Sequence, residues 1–307
     1  MVRGYLLSRL LQTALVVFLS LTAVFAMVRL SGDPVTLFMP MDIQAKDINE
    51  FRERLGFNDP LGVQYARFIG GAVRGNFGES LRYQRDALGL VLERLPATLL
   101  LAGTALALTF VVAVPLGVVS AVRRDGFVDH VGTLGTVLGQ AVPGFWLGLM
   151  LIYVFSVQLR WLPTGGMGTL AHLVMPSVVL AAFYAARVAR LTRSAVLEIL
   201  NEEYILTARA KGLAELRVIG KHALRNSAIP IVTLAGLEAG QLLGGAVITE
   251  TIFAWPGLGR LTVQALLNRD FPVVLAAVSL TSVIYTLMNL AVDLLYGWLD
   301  PRVRVKS

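Results

Sequence analysis

Six intervals of this chain run almost without charge for close to the roughly 20 residues a helix needs to cross a hydrocarbon core. They are 10–28, 95–122, 131–159, 170–186, 226–249 and 271–299, and only the last two contain an acid, Glu238 and Asp293. In lipid every backbone polar group must be satisfied inside the protein, so runs of this kind fold as helices. The reading is an all-α polytopic membrane protein with six transmembrane helices in a single domain. The expected spans are 8–30, 95–122, 131–159, 170–191, 229–249 and 273–298, with an extracytoplasmic segment at 31–94 and a cytoplasmic one at 192–228. Proline interrupts several spans, at Pro96, Pro115, Pro143 and Pro176, and bends are expected there.

Charge sets the orientation. Arg3, Arg9, Arg123, Arg124, the run Arg187, Arg190, Arg193, Arg209, Lys211, Arg217, Lys221 and Arg225, and finally Arg302, Arg304 and Lys306 all fall on one side. The short loops of the other side hold Arg160, Arg260 and Arg269, so the basic side, with both termini, is read as cytoplasmic. The net charge of +7 is then an orientation signal and not a nucleic-acid footprint. Arg3 and Arg9 precede an apolar run longer than a typical signal-peptide core and no A-x-A site follows, so the first span is expected to stay attached.

Several chemistries lack their residues. With no cysteine there is no disulfide framework and no thiolate site. The histidines His130, His172 and His222 are far apart, and neither H-E-x-x-H nor G-x-S-x-G occurs. The pair Gly220-Lys221 has Glu215 where a phosphate-binding loop needs its first glycine, so the chain is not expected to bind ATP.

Three regions carry positive signals. In the outer segment Ile48, Phe51 and Leu55 recur at helical spacing, Asn58-Asp59-Pro60 breaks the chain, and a second piece containing Phe68, Gly70-Gly71 and Ala72 ends near Gly75-Asn76-Phe77-Gly78. It reads either as a packing lid or as a docking surface for an extracytoplasmic partner. In the inner segment helical pattern runs to Lys211 and stops at Gly212, a natural left-handed terminator. A second helix is expected from about Ala214 to Asn226, with Leu216, Ile219 and Ala223 on its apolar face and Arg217, Lys221 and Arg225 on its basic face. Pro230 then marks the start of the fifth span. This basic elbow could rest on anionic headgroups or enter a groove on a protein partner. The alanines and glycine of Thr207-Ala208-Arg209-Ala210-Lys211-Gly212 favour the groove, because they permit close approach.

The third signal is Glu238. An ionisable group at membrane depth is functional or firmly paired. Two residues along a helix turn it by about 200°, so Glu238 lies opposite the stripe Gly236, Gly240, Gly244. Either it hydrogen-bonds a neighbouring helix or, with Gln241, it lines a water-filled path. Asp293, nearer the cytoplasmic end, reads as a structural acid. The pairs Gly135/Gly139 and Gly144/Gly148 indicate close helix packing.

The run Glu203-Tyr204-Ile205-Leu206-Thr207-Ala208-Arg209-Ala210-Lys211-Gly212-Leu213, continued by Lys221-His222-Ala223-Leu224-Arg225-Asn226 and Ile229-Pro230, resembles the EAA loop of ABC importer permeases. The version is that of the dipeptide, oligopeptide and nickel permease family, with Ile205-Leu206 where Val-Arg is frequent. Glu250-Thr251-Ile252-Phe253-Ala254-Trp255-Pro256-Gly257-Leu258-Gly259-Arg260, Val292-Asp293-Leu294-Leu295-Tyr296, Leu299-Asp300-Pro301-Arg302-Val303-Arg304, Gly32-Asp33-Pro34 and Leu95-Pro96-Ala97-Thr98 also resemble that family.

The resemblance implies a type I permease fold and a multi-pass subunit of the B type in the bacterial inner membrane. It implies a second permease subunit, two ATPase subunits that hold ATP and magnesium, an extracytoplasmic binding protein, and no cofactor, metal or nucleic acid on this chain. The implied coupling residues are Glu203, Tyr204, Thr207, Ala208, Arg209, Ala210, Lys211 and Gly212. Di- and oligopeptides are the expected cargo, with nickel chelates, glutathione or another small solute as alternatives. The reading from a different class is a proton-coupled secondary transporter with Glu238 as the carrier.

Overall fold

The structure, a computed structural model, describes residues 2–30 and 58–299. The helix expected on Ile48, Phe51 and Leu55, the Gly32-Asp33-Pro34 motif, the tail motif at 300–304 and the side chain of Asp293 lie outside the described part. Among the described residues the chain is all-helical apart from one isolated bridge, Glu79 to Asp86. In chain order the elements are α1 (Val2–Leu30), α2 (Leu61–Val73), α3 (Ala87–Val122), α4 (Phe127–Ala141), α5 (Gly144–Leu151) and a π-helical turn (Ile152–Gln158). Then come α6 (Leu170–Leu200), α7 (Glu203–Ala210), the single turn α8 (Glu215–Arg217), a second π segment (Val218–Ala223), α9 (Leu224–Ile252), α10 (Leu258–Leu267) and α11 (Phe271–Leu299). Among the described residues four helices are long and apolar enough to cross a membrane, and two bent pairs can each supply one more span.

The prolines behave differently from one another. Pro176 and Pro230 sit inside continuous helices, and Pro96 and Pro115 lie within α3. Only at Pro143 does a helix break, where α4 and α5 meet at 102°. Val142, held extended at ψ 121° as residues before proline prefer, makes that break.

Contacts divide the chain into two compact units. One comprises Thr98–Trp255 and the chain from Met288 on; the other comprises Arg3–Ala97 and Pro256–Leu287. In the first, α6 packs on α4 and α9. Its apolar clusters join Ala113 of α3 to Val188 and Ala189 of α6, and Met175 and Val179 of α6 to Phe253 at the end of α9. Of the glycine stripe on α9, Gly236 is the close approach: a Cβ there would stand 2.4 Å from Val292, whereas Gly244 has nothing within 4 Å.

In the second unit α10 and the starts of α3 and α11 close a dry cluster around Val91, Leu258, Leu261, Val273 and Ala277. Its one deeply buried carboxylate among the described residues, Asp270, accepts a hydrogen bond from Ser80 Oγ at 2.5 Å. Helix α2 is tied to α1 by Phe25 against Tyr65 and Phe68, and by Thr22 and Tyr65 hydroxyls 2.6 Å apart. It begins directly after Pro60, seven residues earlier than Phe68, with the Pro60 carbonyl accepting the first helical bonds from Val63 N–H at 2.8 Å and Gln64 N–H at 3.1 Å.

Candidate functional site

The elbow expected at 203–212 is a short helix that displays one set of residues and buries another. Ile205 and Ala208, three apart on α7, pack against Val218 with Leu213, Ile199 and Leu200 around them. Burying that stripe turns Glu203, Tyr204, Thr207, Arg209, Ala210, Lys211 and Gly212 outward, all of them exposed. Ala208 is thus part of the elbow's small core and not of its displayed face.

Gly212 ends α7 at φ +74°, with its N–H on Arg209 O at 2.9 Å and the Leu213 N–H on Ala208 O at 3.3 Å. Those two bonds cap the last free carbonyls of the helix. Arg209 spans the turn to Glu215 through Nη2 at 2.6 Å and Nε at 3.2 Å. This hydrogen bonding holds the Glu215 carboxyl below the usual carboxylate range. Tyr204 Oη accepts from Asn226 Nδ2 at 3.0 Å, which anchors the displayed face to the start of α9.

The helix after Gly212 departs from expectation. It is α-helical only over Glu215–Arg217, becomes π-helical over Val218–Ala223, and continues into α9 with Pro230 inside. The wider π turn bonds i to i+5, so Val218 and Ala223, five apart, share the buried side. Leu216, placed by 3.6-residue spacing on the apolar face, is 85% exposed.

Inside the first unit α6 carries a polar seam. Glu238 lies fourteen residues from either end of α9 and is fully buried. Arg187 Nη1 stands 3.0 Å from Glu238 Oε1, donates to Oε2 at 3.4 Å and donates to Gln241 Oε1 at 3.3 Å. The two residues singled out on α9 are therefore brought together, on one guanidinium. Three residues on, Arg190 Nη2 donates to Gln140 Oε1 of α4 at 3.1 Å. Three further, Arg193 grips Asp129 with Nε at 2.6 Å and Nη2 at 2.7 Å.

Arg187, Arg190 and Arg193 are thus carried on α6 and engaged by residues of neighbouring helices, and Arg187 sits level with the middle of α9. Charges inside a membrane pair with one another. That rule, applied to Arg187, Glu238, Arg193 and Asp129 together, is the signal that could have found them. Glu250 was missed for a simpler reason: it is the first residue beyond the apolar interval. It is fully buried and accepts a hydrogen bond from Thr98 Oγ1 at 2.6 Å. Among the described residues no group of His, Cys, Asp and Glu could hold a metal ion.

Comparison with known proteins agrees with this architecture. Residues 113–305 match the family described as binding-protein-dependent transport system inner membrane component, and residues 1–102 match its N-terminal counterpart. The oligopeptide transport system permease protein AppB of Bacillus subtilis is 43% identical over 89% of this chain and 90% of its own length. The glutathione transport system permease protein GsiC of Escherichia coli is 40% identical over 99% of both chains. The solved inward-facing MetNI methionine ABC transporter shares the fold, with a TM-score of 0.58 at 21% identity over 69% of this chain and 96% of that one. An exposed cationic elbow, a multi-span helical body and family matches across both halves lead to one conclusion: the chain belongs to the binding-protein-dependent transport system inner membrane component family, and is a permease subunit of an ABC importer.

Proposed function

We propose that this chain is a B-type subunit that pairs with a second, similar permease subunit and two ATPases, receives its cargo from an extracytoplasmic binding protein, and carries di- and oligopeptides. The names of its relatives support that cargo class, and glutathione, itself a small peptide, belongs to the same class. Bond-making chemistry is left to the ATPases; this chain contributes shape and coupling within one permease domain. Both termini, and the elbow, lie on the cytoplasmic face, where the Arg and Lys bias of the loops puts them.

The observation that carries the coupling role is the construction of the elbow. Its core of Ile205, Ala208 and Val218 leaves Glu203, Tyr204, Thr207, Arg209, Ala210, Lys211 and Gly212 as an exposed, capped surface with two cations. ATP-driven closure of the ATPases draws two such elbows together, and tilting of the helices moves access to a central path, which Gln241 faces directly and Glu238 reaches through Arg187, from one side to the other.

The chain has no cysteine, so single cysteines report cleanly. In the assembled transporter, cysteine at Ala210 or Lys211 crosslinks to the ATPase, and Lys211→Glu uncouples ATP hydrolysis from uptake while membrane insertion is unchanged. Absence of both effects removes the coupling assignment.

A further inference from the structure

The three arginines of α6 differ in how much of their charge the protein already uses. Arg193 is neutralised by Asp129, and Arg187 by Glu238. Arg190 faces the neutral Gln140, so among the described residues the seam carries one uncompensated positive charge, on Arg190.

Donor use differs as well. A guanidinium binds a carboxylate best through the parallel N–H groups of Nε and Nη2. Arg193 spends that edge on Asp129. Arg187 engages Glu238 and Gln241 through Nη1 alone, which leaves its Nε and Nη2 edge unengaged among the described residues.

The seam is also reachable. The Arg187 side chain keeps 38% of its surface exposed, and Arg190 and Gln241 are exposed. A guanidinium level with the middle of a membrane helix does not face hydrocarbon. Beside Arg190 and Arg193 opens a cavity of about 140 Å³ with a mixed lining, apolar at Leu116 and Ala189 and polar at Ser120, Thr133 and Thr136. Three residues advance a helix by about 4.5 Å, so Arg187 and Arg190 form a step leading from mid-helix toward the end of α6 that enters the elbow.

Resting on the peptide reading above, we propose that Arg187 and Arg190 are the seat for a carboxylate of the transported peptide. Arg190 supplies the attracting charge, Arg187 the free bidentate edge, and Glu238 holds the Arg187 guanidinium in place. Asp129 on Arg193 is the same contact already made within the protein, and it closes the lower end of the step.

The test uses the complete transporter in lipid vesicles, with trialanine and trialanine amide as probes and ATP-dependent uptake as the readout. Arg190→Gln removes a charge whose partner among the described residues, Gln140, is neutral, so it leaves no orphaned carboxylate there. The expected result is a loss of about tenfold in trialanine uptake, the scale of one charged hydrogen bond, with amide uptake changed less than twofold and Arg190→Lys restoring most of the difference. The double variant Arg187→Gln with Glu238→Gln, which stays neutral, loses the same acid-over-amide preference. Equal losses for acid and amide in both variants, or no loss in either, overturn the assignment. A wild-type transporter that moves neither probe overturns the peptide reading, and this proposal with it.

Discussion

The elbow at 203–213 and the turn at 250–255 are two motifs of similar sequence distinctiveness with opposite fates. The elbow buries Ile205 and Ala208 and exposes nearly everything else. The turn buries Glu250, Phe253 and Trp255 to within 1% of completely. Its backbone is fastened from within the same unit, with the Trp255 N–H on Glu250 O at 2.8 Å and the Gly166 N–H on Phe253 O at 2.7 Å. A distinctive motif therefore has two physical explanations, and exposure separates them. Residues that must meet another molecule stay outside, while residues that fix an awkward backbone, here Ala254 at φ +49°, go inside.

The sharpest way to break this contrast is at the turn. Trp255→Ala empties a nearly inaccessible site and is expected to cost about 3–5 kcal/mol, read as loss of folded subunit in a detergent thermal-stability assay. Should the variant instead stay folded and lose only ATPase coupling, the turn would be a partner surface and the contrast would fail. Ile205→Ala does the same to the core of the elbow, at about 2–4 kcal/mol, but its loss should be confined to the 203–225 region in hydrogen exchange. Gly212→Ala meets open space, so its cost is backbone alone, about 1 kcal/mol for the left-handed φ, visible as faster exchange at Leu213.

The smallest effect belongs to the exposed pair of Arg209 and Glu215. Because Arg209 holds the Glu215 carboxyl low, the contribution of the pair is present above the unfolded carboxylate pKa of about 4.3. It is lost as the pH falls through the lower folded value. Glu215→Gln should destabilise the elbow by a few tenths of a kcal/mol at neutral pH, a difference that fades on acidification.

Much of this was legible in the residues. Apolar length gives the helices, since nothing in lipid competes with an internal hydrogen bond, and Gly212 announces the end of α7 because few other residues tolerate its φ. The failures have one cause, which is that periodicity assumes a fixed turn. Val218–Ala223 winds more widely than 3.6 residues per turn, so Val218 and not Leu216 goes inside. Pro230 was read as a boundary, yet α9 already runs through it. Arg187 and Arg190 fall inside the expected span 170–191, but their partners Glu238 and Gln140 stand on other helices, which no local pattern on α6 encodes. Gln241 was named with Glu238 only as a lining of a path; the guanidinium that joins them comes from α6, which no local pattern on α9 encodes.

The π segment has a mechanical corollary. From Glu215 to Leu242 the chain is helical without a loop, so Glu238 stands about 34 Å along one shaft from Glu215. A hinge would absorb a push delivered at Lys211, whereas a shaft converts it to rotation. The over-wide turn and Pro230 are the two irregular points along that shaft, and the phase set there fixes the face on which Glu238 meets Arg187.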